Sequence, residues 1–197
     1  RYDLLKSHHA TAEKRYYPLA QEVITGTYVG DYDYVLDLLD RCYFPTREGV
    51  ANFHDNFVDA LILAGEEKIA EGKVEQAVTL YKKAFTYPEN HQVFLVDERA
   101  THDAQINYCL GEAYAALGQD AEAEKYWKLA AEQDYELKGS KDFRYWTGLA
   151  LERLGRKAEA EAIFSALVAD GEAAVVTQHV NFYGAEGTTG VTVDIIH

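Results

Sequence analysis

Small and large apolar residues recur at fixed distances from four glycines, Gly30, Gly72, Gly118 and Gly155. Five residues after each glycine stands a small or β-branched residue: Val35, Ala77, Ala123 and Ala160. Nine residues after stands a large one: Leu39, Tyr81, Trp127 and Phe164. Twelve after stands Cys42, Ala84, Ala130 or Leu167. Steps of four and then three keep all three positions on one face of a helix. Upstream, Gly65, Gly111 and Gly148 each lie seven residues before the last three glycines, where a side chain would hold two helices apart. Leu117 and Leu154 precede their glycines directly and close one helix onto the next. The four glycines predict left-handed residues that end each first helix. Asp31 and Asp120 follow two of them as expected caps of the second helices.

This pattern predicts paired helices at 11–28 and 31–43, 51–70 and 73–86, 101–117 and 120–133, and 141–154 and 157–169. Successive glycines are 42, 46 and 37 residues apart, a period at which stacked helical hairpins bury faces that none could bury alone. Residues 45–49 and 87–98 are expected to be connecting loops. The chain divides into a helical domain over 1–170 and an atypical tail over 171–197, where Gly, Thr and Val crowd and Val191-Thr-Val-Asp-Ile-Ile alternates. The tail is expected to be the damaged start of a fifth repeat, the alternative being a floppy end.

Two stretches, Cys-Leu-Gly-Glu-Ala-Tyr-Ala-Ala-Leu-Gly at 109–118 and Tyr-Trp-Thr-Gly-Leu-Ala-Leu-Glu-Arg-Leu-Gly at 145–155, resemble tetratricopeptide (TPR) repeats. So does residue range 72–88, which carries the family's proline near its end at Pro88. In the first unit Val23 stands where the family has a small residue, and Gly26 where it has a tyrosine. The resemblance implies an all-α fold, a TPR-like right-handed superhelix of about four helical hairpins. More weakly, Phe44-Pro-Thr-Arg-Glu-Gly, the following Phe53-His54 helix and Phe85-Thr-Tyr-Pro-Glu-Asn resemble the TPR region of large bacterial proteins. Those proteins carry an upstream sugar-mutarotase-like β-sandwich domain, which implies a carbohydrate-active parent with this piece as its helical companion.

Composition narrows the partners. Nineteen basic against 33 acidic residues leave a net charge of −14, a surface that repels nucleic acid. The same acidity either keeps the protein in solution or attracts a basic partner. No run reaches the ~18 apolar residues of a membrane span. The start at Arg1, without a signal peptide or any methionine, suggests a piece of a longer protein or a processed form. Cys42 and Cys109 are expected to be buried free thiols, which suits a cytoplasmic location.

Candidate chemistry is sparse. His8 and His9 are adjacent, and His54, His91, His102 and His179 are scattered, so no spacing promises three converging metal ligands. No nucleophile elbow is present, and Gly184–Gly190 lacks the Lys-Ser/Thr ending of a phosphate loop. The expectation is a protein without catalytic residues, metal or cofactor.

In TPR arrays the first helices line the inner concave surface, and the resemblance carries that role to particular positions. The second unit offers Asp59, Ile62, Glu66 and Ile69; the third Gln105, Tyr108, Glu112 and Ala115; the fourth Asp142, Tyr145, Leu149 and Glu152. The first adds Tyr17, Ala20 and Ile24. The Lys/Asn set with which some TPR domains clamp a peptide carboxylate has no counterpart among them. Acids and tyrosines suit a protein or peptide segment bearing Lys or Arg, through charge and cation–π contacts. Another domain of the same parent chain fits equally. A carbohydrate, stacked on tyrosine and hydrogen-bonded to carboxylates, is the competing customer.

Overall fold

A computed structural model describes residues 1–45, 53–92, 102–133 and 143–176 of the chain. It is all-helical. Among the described residues ten helices run in order: α1 (Tyr2–Ser7), α2 (His9–Ala12), α3 (Tyr16–Val29), α4 (Tyr32–Arg41), α5 (His54–Ala70), α6 (Val74–Lys83), α7 (Asp103–Ala116), α8 (Asp120–Ala131), α9 (Arg144–Arg153) and α10 (Lys157–Val176). From α3 onward they pack as four hairpins. Each second helix also touches the next first helix, and the first helices α3, α5, α7 and α9 touch one another in succession.

The four organising glycines behave as their spacing predicts. Gly30, Gly72, Gly118 and Gly155 take φ of 79°, 76°, 70° and 76°, the left-handed region that L side chains avoid. Each closes the same pair of backbone bonds. Around Gly72, Lys73 N–H donates to the Lys68 carbonyl at 2.8 Å and Gly72 N–H to Ile69 at 2.9 Å. Around Gly118, Gln119 N–H donates to Tyr114 at 2.9 Å and Gly118 N–H to Ala115 at 2.9 Å. This 6→1 and 5→2 arrangement satisfies carbonyls orphaned at the helix end and sets the angle of the turn.

Packing within the hairpins follows from the second set of glycines. An added Cβ at Gly65 would fall within 3.0 Å of the Tyr81 ring; at Gly111 it would meet Trp127, and at Gly148 it would meet Phe164. The aromatic nine residues past each of the last three turns therefore lies directly on the backbone of the preceding helix. The small residues five past the turn, Val35, Ala77, Ala123 and Ala160, are all buried. Close backbone approach and ring insertion together fill the space between the paired helices. The main core joins residues of α3 through α8 around Phe57, Leu61, Tyr81 and Leu110. A smaller one, Ala104, Ala130 and Ala150, joins α7, α8 and α9 beneath Trp127 and Trp146.

Several expectations need correction. The helix expected over 11–28 is broken: α2 ends at Ala12 and α3 begins at Tyr16. Pro18 explains the break, because inside a continuous helix its ring would meet the carbonyl of Lys14, whereas in a first turn it is tolerated. The chain before residue 11, to which the sequence pattern assigns no helix, carries α1 and the start of α2, two short helices against α3. Gly26, the position where a tyrosine was expected, instead admits the Tyr2 ring, whose hydroxyl donates to Asp31 at 2.6 Å. Asp31 stands at the start of α4 but makes no cap bond, because Tyr2 and Lys6 take its carboxylate. Asp120 is the first residue of α8, and Gln119 occupies the cap position. Helix α10 runs through Gly171 to Val176, beyond the end expected at 169. The remainder of the expected fifth-repeat tail, 177–197, lies outside the described residues, as do 46–49 of the loop expected at 45–49 and 93–98 of the loop expected at 87–98.

The described part of that loop has a structural task. Asn90 Nδ2 donates to the carbonyls of Leu39 at 2.8 Å and Cys42 at 2.6 Å, and His91 Nε2 donates to Leu39 at 2.8 Å. These are the orphaned carbonyls of α4. Phe44 N–H and carbonyl pair with Asn90 and Gln92, forming an isolated bridge beside the Phe44–Phe53 ring stack.

Candidate functional site

The first helices hold the residues to which the sequence assigns partner binding, and the structure sorts them into three groups. Asp59 and Glu66 on α5, Tyr145 and Glu152 on α9, and Tyr17 on α3 are exposed. Gln105, Tyr108 and Glu112 on α7 are partly covered and engaged with neighbours. Ile62, expected on the same wall, is only 2 % exposed and belongs to the main core. It lies three residues from Asp59 and four from Glu66, only about 40–60° around α5 from either, toward the packed face. Ala20, a further lining position, is buried as well. Asp142 lies outside the described residues.

Glu66 has no ion-pair partner among the described residues. Desolvation by the surrounding protein raises its carboxyl above the ordinary value, although the residue is open to solvent. A cation brought to such a carboxylate gains more than at a fully hydrated one.

Asp59 and Gln105 meet around a residue the sequence treated as structural. His102 is buried at the start of α7; its Nδ1–H donates to Gln105 Oε1 at 3.1 Å, and its Nε2 lies 3.7 Å from Asp55 Oδ1. Burial opposes charge on His102, but Asp55, Asp59 and Gln105 outweigh it and hold the imidazole above its ordinary value. Nearby His54 behaves oppositely. Burial lowers it to about 4 against only a partial counter-pull from Asp55. It stacks on Tyr87 at 4.2 Å. Among the described residues no group of three His, Cys, Asp or Glu could hold a metal ion.

Farther along, Glu112 is the centre of a polar junction between α7, α8 and α9. Arg153 Nε and Nη2 donate to its two oxygens at 2.8 and 2.6 Å, and Trp127 Nε1–H donates at 3.1 Å. Tyr108 sits one turn earlier, within hydrogen-bond reach of the same guanidinium and 5.6 Å from the Trp146 ring. Burial and the Glu112 charge raise the Tyr108 phenol, so it stays neutral, its oxygen an acceptor toward the guanidinium. Tyr145 packs edge-on to Trp146 at 5.4 Å.

Arg153, His102 and a third feature, Glu22, escaped the sequence reading. Glu22 is fully buried, accepting from Tyr34 OH at 2.7 Å and His9 Nδ1 at 3.0 Å. An acceptor-only carboxylate assigns the proton to Nδ1. The signal was present: Leu19, Glu22, Val23 and Gly26 follow the three-and-four step of a buried stripe, and a glutamate on such a stripe needs donors. Cys42 and Cys109 are buried free thiols as expected, and burial raises both. Among the described residues no helix is long and apolar enough to cross a membrane. No family model, curated protein or solved structure matches the chain in comparison searches.

Proposed function

We propose that this chain is a non-catalytic binding scaffold of stacked TPR-like hairpins that captures a basic, extended segment of a partner protein along its row of first helices. The carrying observation is that Asp59, Glu66 and Glu152 stay exposed on helices that touch one another in succession, with Tyr145 and Tyr17 exposed along the same row. A row of exposed acids steers and orients a positive segment, and exposed tyrosine faces add cation–π contacts. Repetition of one hairpin is how solenoids produce a surface longer than a single pocket. A segment from another domain of the same parent would bind by the same chemistry.

The test is fluorescence anisotropy with a labelled Lys/Arg-rich decapeptide, run at increasing salt beside a neutral oligosaccharide competitor. Neutralising Asp59→Asn, Glu66→Gln and Glu152→Gln together removes three exposed pairs of about 0.5 kcal/mol each, roughly tenfold in affinity. The expected result is saturable binding that weakens with salt and by that factor in the triple variant. Equal binding by wild type and triple variant, or displacement by the sugar alone, would refute the proposal.

A further inference from the structure

We infer that Glu112, Tyr108 and Trp127 form a guanidinium pocket that Arg153 fills in the free chain, and that an arginine of the basic partner enters by displacing it. This deepens the scaffold proposal and rests on it. The pocket is organised before any cation arrives. Trp127 lies on the Gly111 backbone, which fixes the indole, and its Nε1–H fixes one oxygen of Glu112 at 3.1 Å. Tyr108 is held against the Trp146 ring at 5.6 Å, one turn before Glu112 on α7, where its phenol oxygen can accept from a guanidinium. Two oxygens at 2.8 and 2.6 Å from Nε and Nη2 make a planar fork that an ammonium cannot reproduce.

The occupant is held less firmly than its pocket. Arg153 is the last residue of α9, and its side chain is 51 % exposed against 29 % for Glu112. A long side chain at a helix terminus can swing into solvent without disturbing the helix, whereas Glu112 sits inside α7. The internal arginine therefore acts as a competitor that keeps a buried-edge carboxylate neutralised until a partner arginine takes its place. Arginine-bearing segments are selected over lysine-bearing ones, and single stray cations are refused.

The chain has two tryptophans, so the indole N–H region of a proton–nitrogen correlation spectrum holds two signals, assigned with Trp146→Phe. The probe is the blocked pentapeptide Gly-Arg-Gly-Arg-Gly, beside its lysine counterpart. In Arg153→Ala the Trp127 signal should move saturably with the arginine peptide, at a half-saturation about tenfold below wild type. Arg153→Lys, which keeps the charge but loses the fork, should fall between them. Adding Glu112→Gln to Arg153→Ala should abolish the response. The pocket is overturned by equal half-saturation in wild type and both Arg153 variants, by equal response to the lysine peptide, or by a response that survives Glu112→Gln. If the decapeptide binds wild type and weakens on neutralising Asp59 and Glu66, while Trp127 stays silent in every variant, this inference fails and the scaffold proposal stands.

Discussion

Replacing Gly65 by alanine sets two effects of known size against each other. Alanine inside a helix gains about 1 kcal/mol over glycine from backbone entropy. Its Cβ, however, would fall within 3.0 Å of three atoms of the Tyr81 ring, Cδ1, Cε1 and Cζ. Tyr81 is 1 % exposed and packed on all sides, so it has nowhere to retreat. Overpacking of that kind costs about 1–3 kcal/mol. The clash involves ring atoms rather than a flexible tip, which favours the upper part of that range. A net loss of about 1–2 kcal/mol is expected. Urea unfolding followed by far-UV circular dichroism measures it. The decisive arm repeats the change in Tyr81→Leu, which lacks the Cε1 and Cζ atoms. There Gly65→Ala should cost nothing or stabilise by up to about 1 kcal/mol, a coupling of about 2 kcal/mol. Gly72→Ala is the control. Its φ of 76° strains any L residue, but nothing lies near its Cβ, so its cost should be the same in both backgrounds. A Gly65→Ala change that is neutral in wild type, or equally costly with and without the Tyr81 ring, would refute the plug of aromatic on glycine.

Three further outcomes are expected. His54 is lowered to about 4 when folded, so the unfolded chain binds more protons between about 4 and its ordinary value of 6.5, and stability falls as pH drops through that window. The loss is at most about 3 kcal/mol. His91, lowered by burial, adds in the same direction, while His102, held up by Asp55 and Asp59, subtracts. Urea midpoints at pH 7 and 4.5 should converge in His54→Gln relative to wild type; an unchanged difference would contradict this. Asn90→Ala strips donors from the Leu39 and Cys42 carbonyls and should cost about 1–3 kcal/mol, seen as faster amide exchange at the end of α4; unaltered exchange there would deny the clip its role. Glu22→Ala strands His9 and Tyr34, which should cost about 3 kcal/mol and expose residues 1–15 to limited proteolysis, while Glu22→Gln is milder; equal protection in both would separate α1 and α2 from this carboxylate.

The helical pairs were legible because their determinants are local. A glycine that must be left-handed, a small residue five later and a ring nine later can be read without knowing the partner helix, and each lands where its spacing says. Pro18 was equally visible, but the run from 11 to 28 looked continuous because apolar spacing outweighed a proline in its first half. The partner-facing residues were less legible, for a geometric reason. Ile62 shares its helix face with Asp59 and Glu66 in projection, yet about 40–60° of rotation decides between core and solvent. Glu112 reads as a free groove acid until Arg153, from the next hairpin and 41 residues on, is seen to reach it. Such contacts depend on how successive hairpins are stacked, which no single-hairpin pattern encodes. The buried Glu22 could have been found, since a charge on a buried stripe is visible in sequence, but its partner His9 lies on a helix whose existence was not foreseen.

Amide chemical-shift mapping of the Lys/Arg-rich decapeptide on the intact chain tests the central claim most directly. Binding along the first helices predicts perturbations that cluster at Asp59 and Glu66 on α5, around Tyr108 on α7, and at Tyr145 and Glu152 on α9, fading as salt rises. Perturbations confined to the second helices α4, α6 and α8, or spread without pattern over the acidic surface, would contradict it.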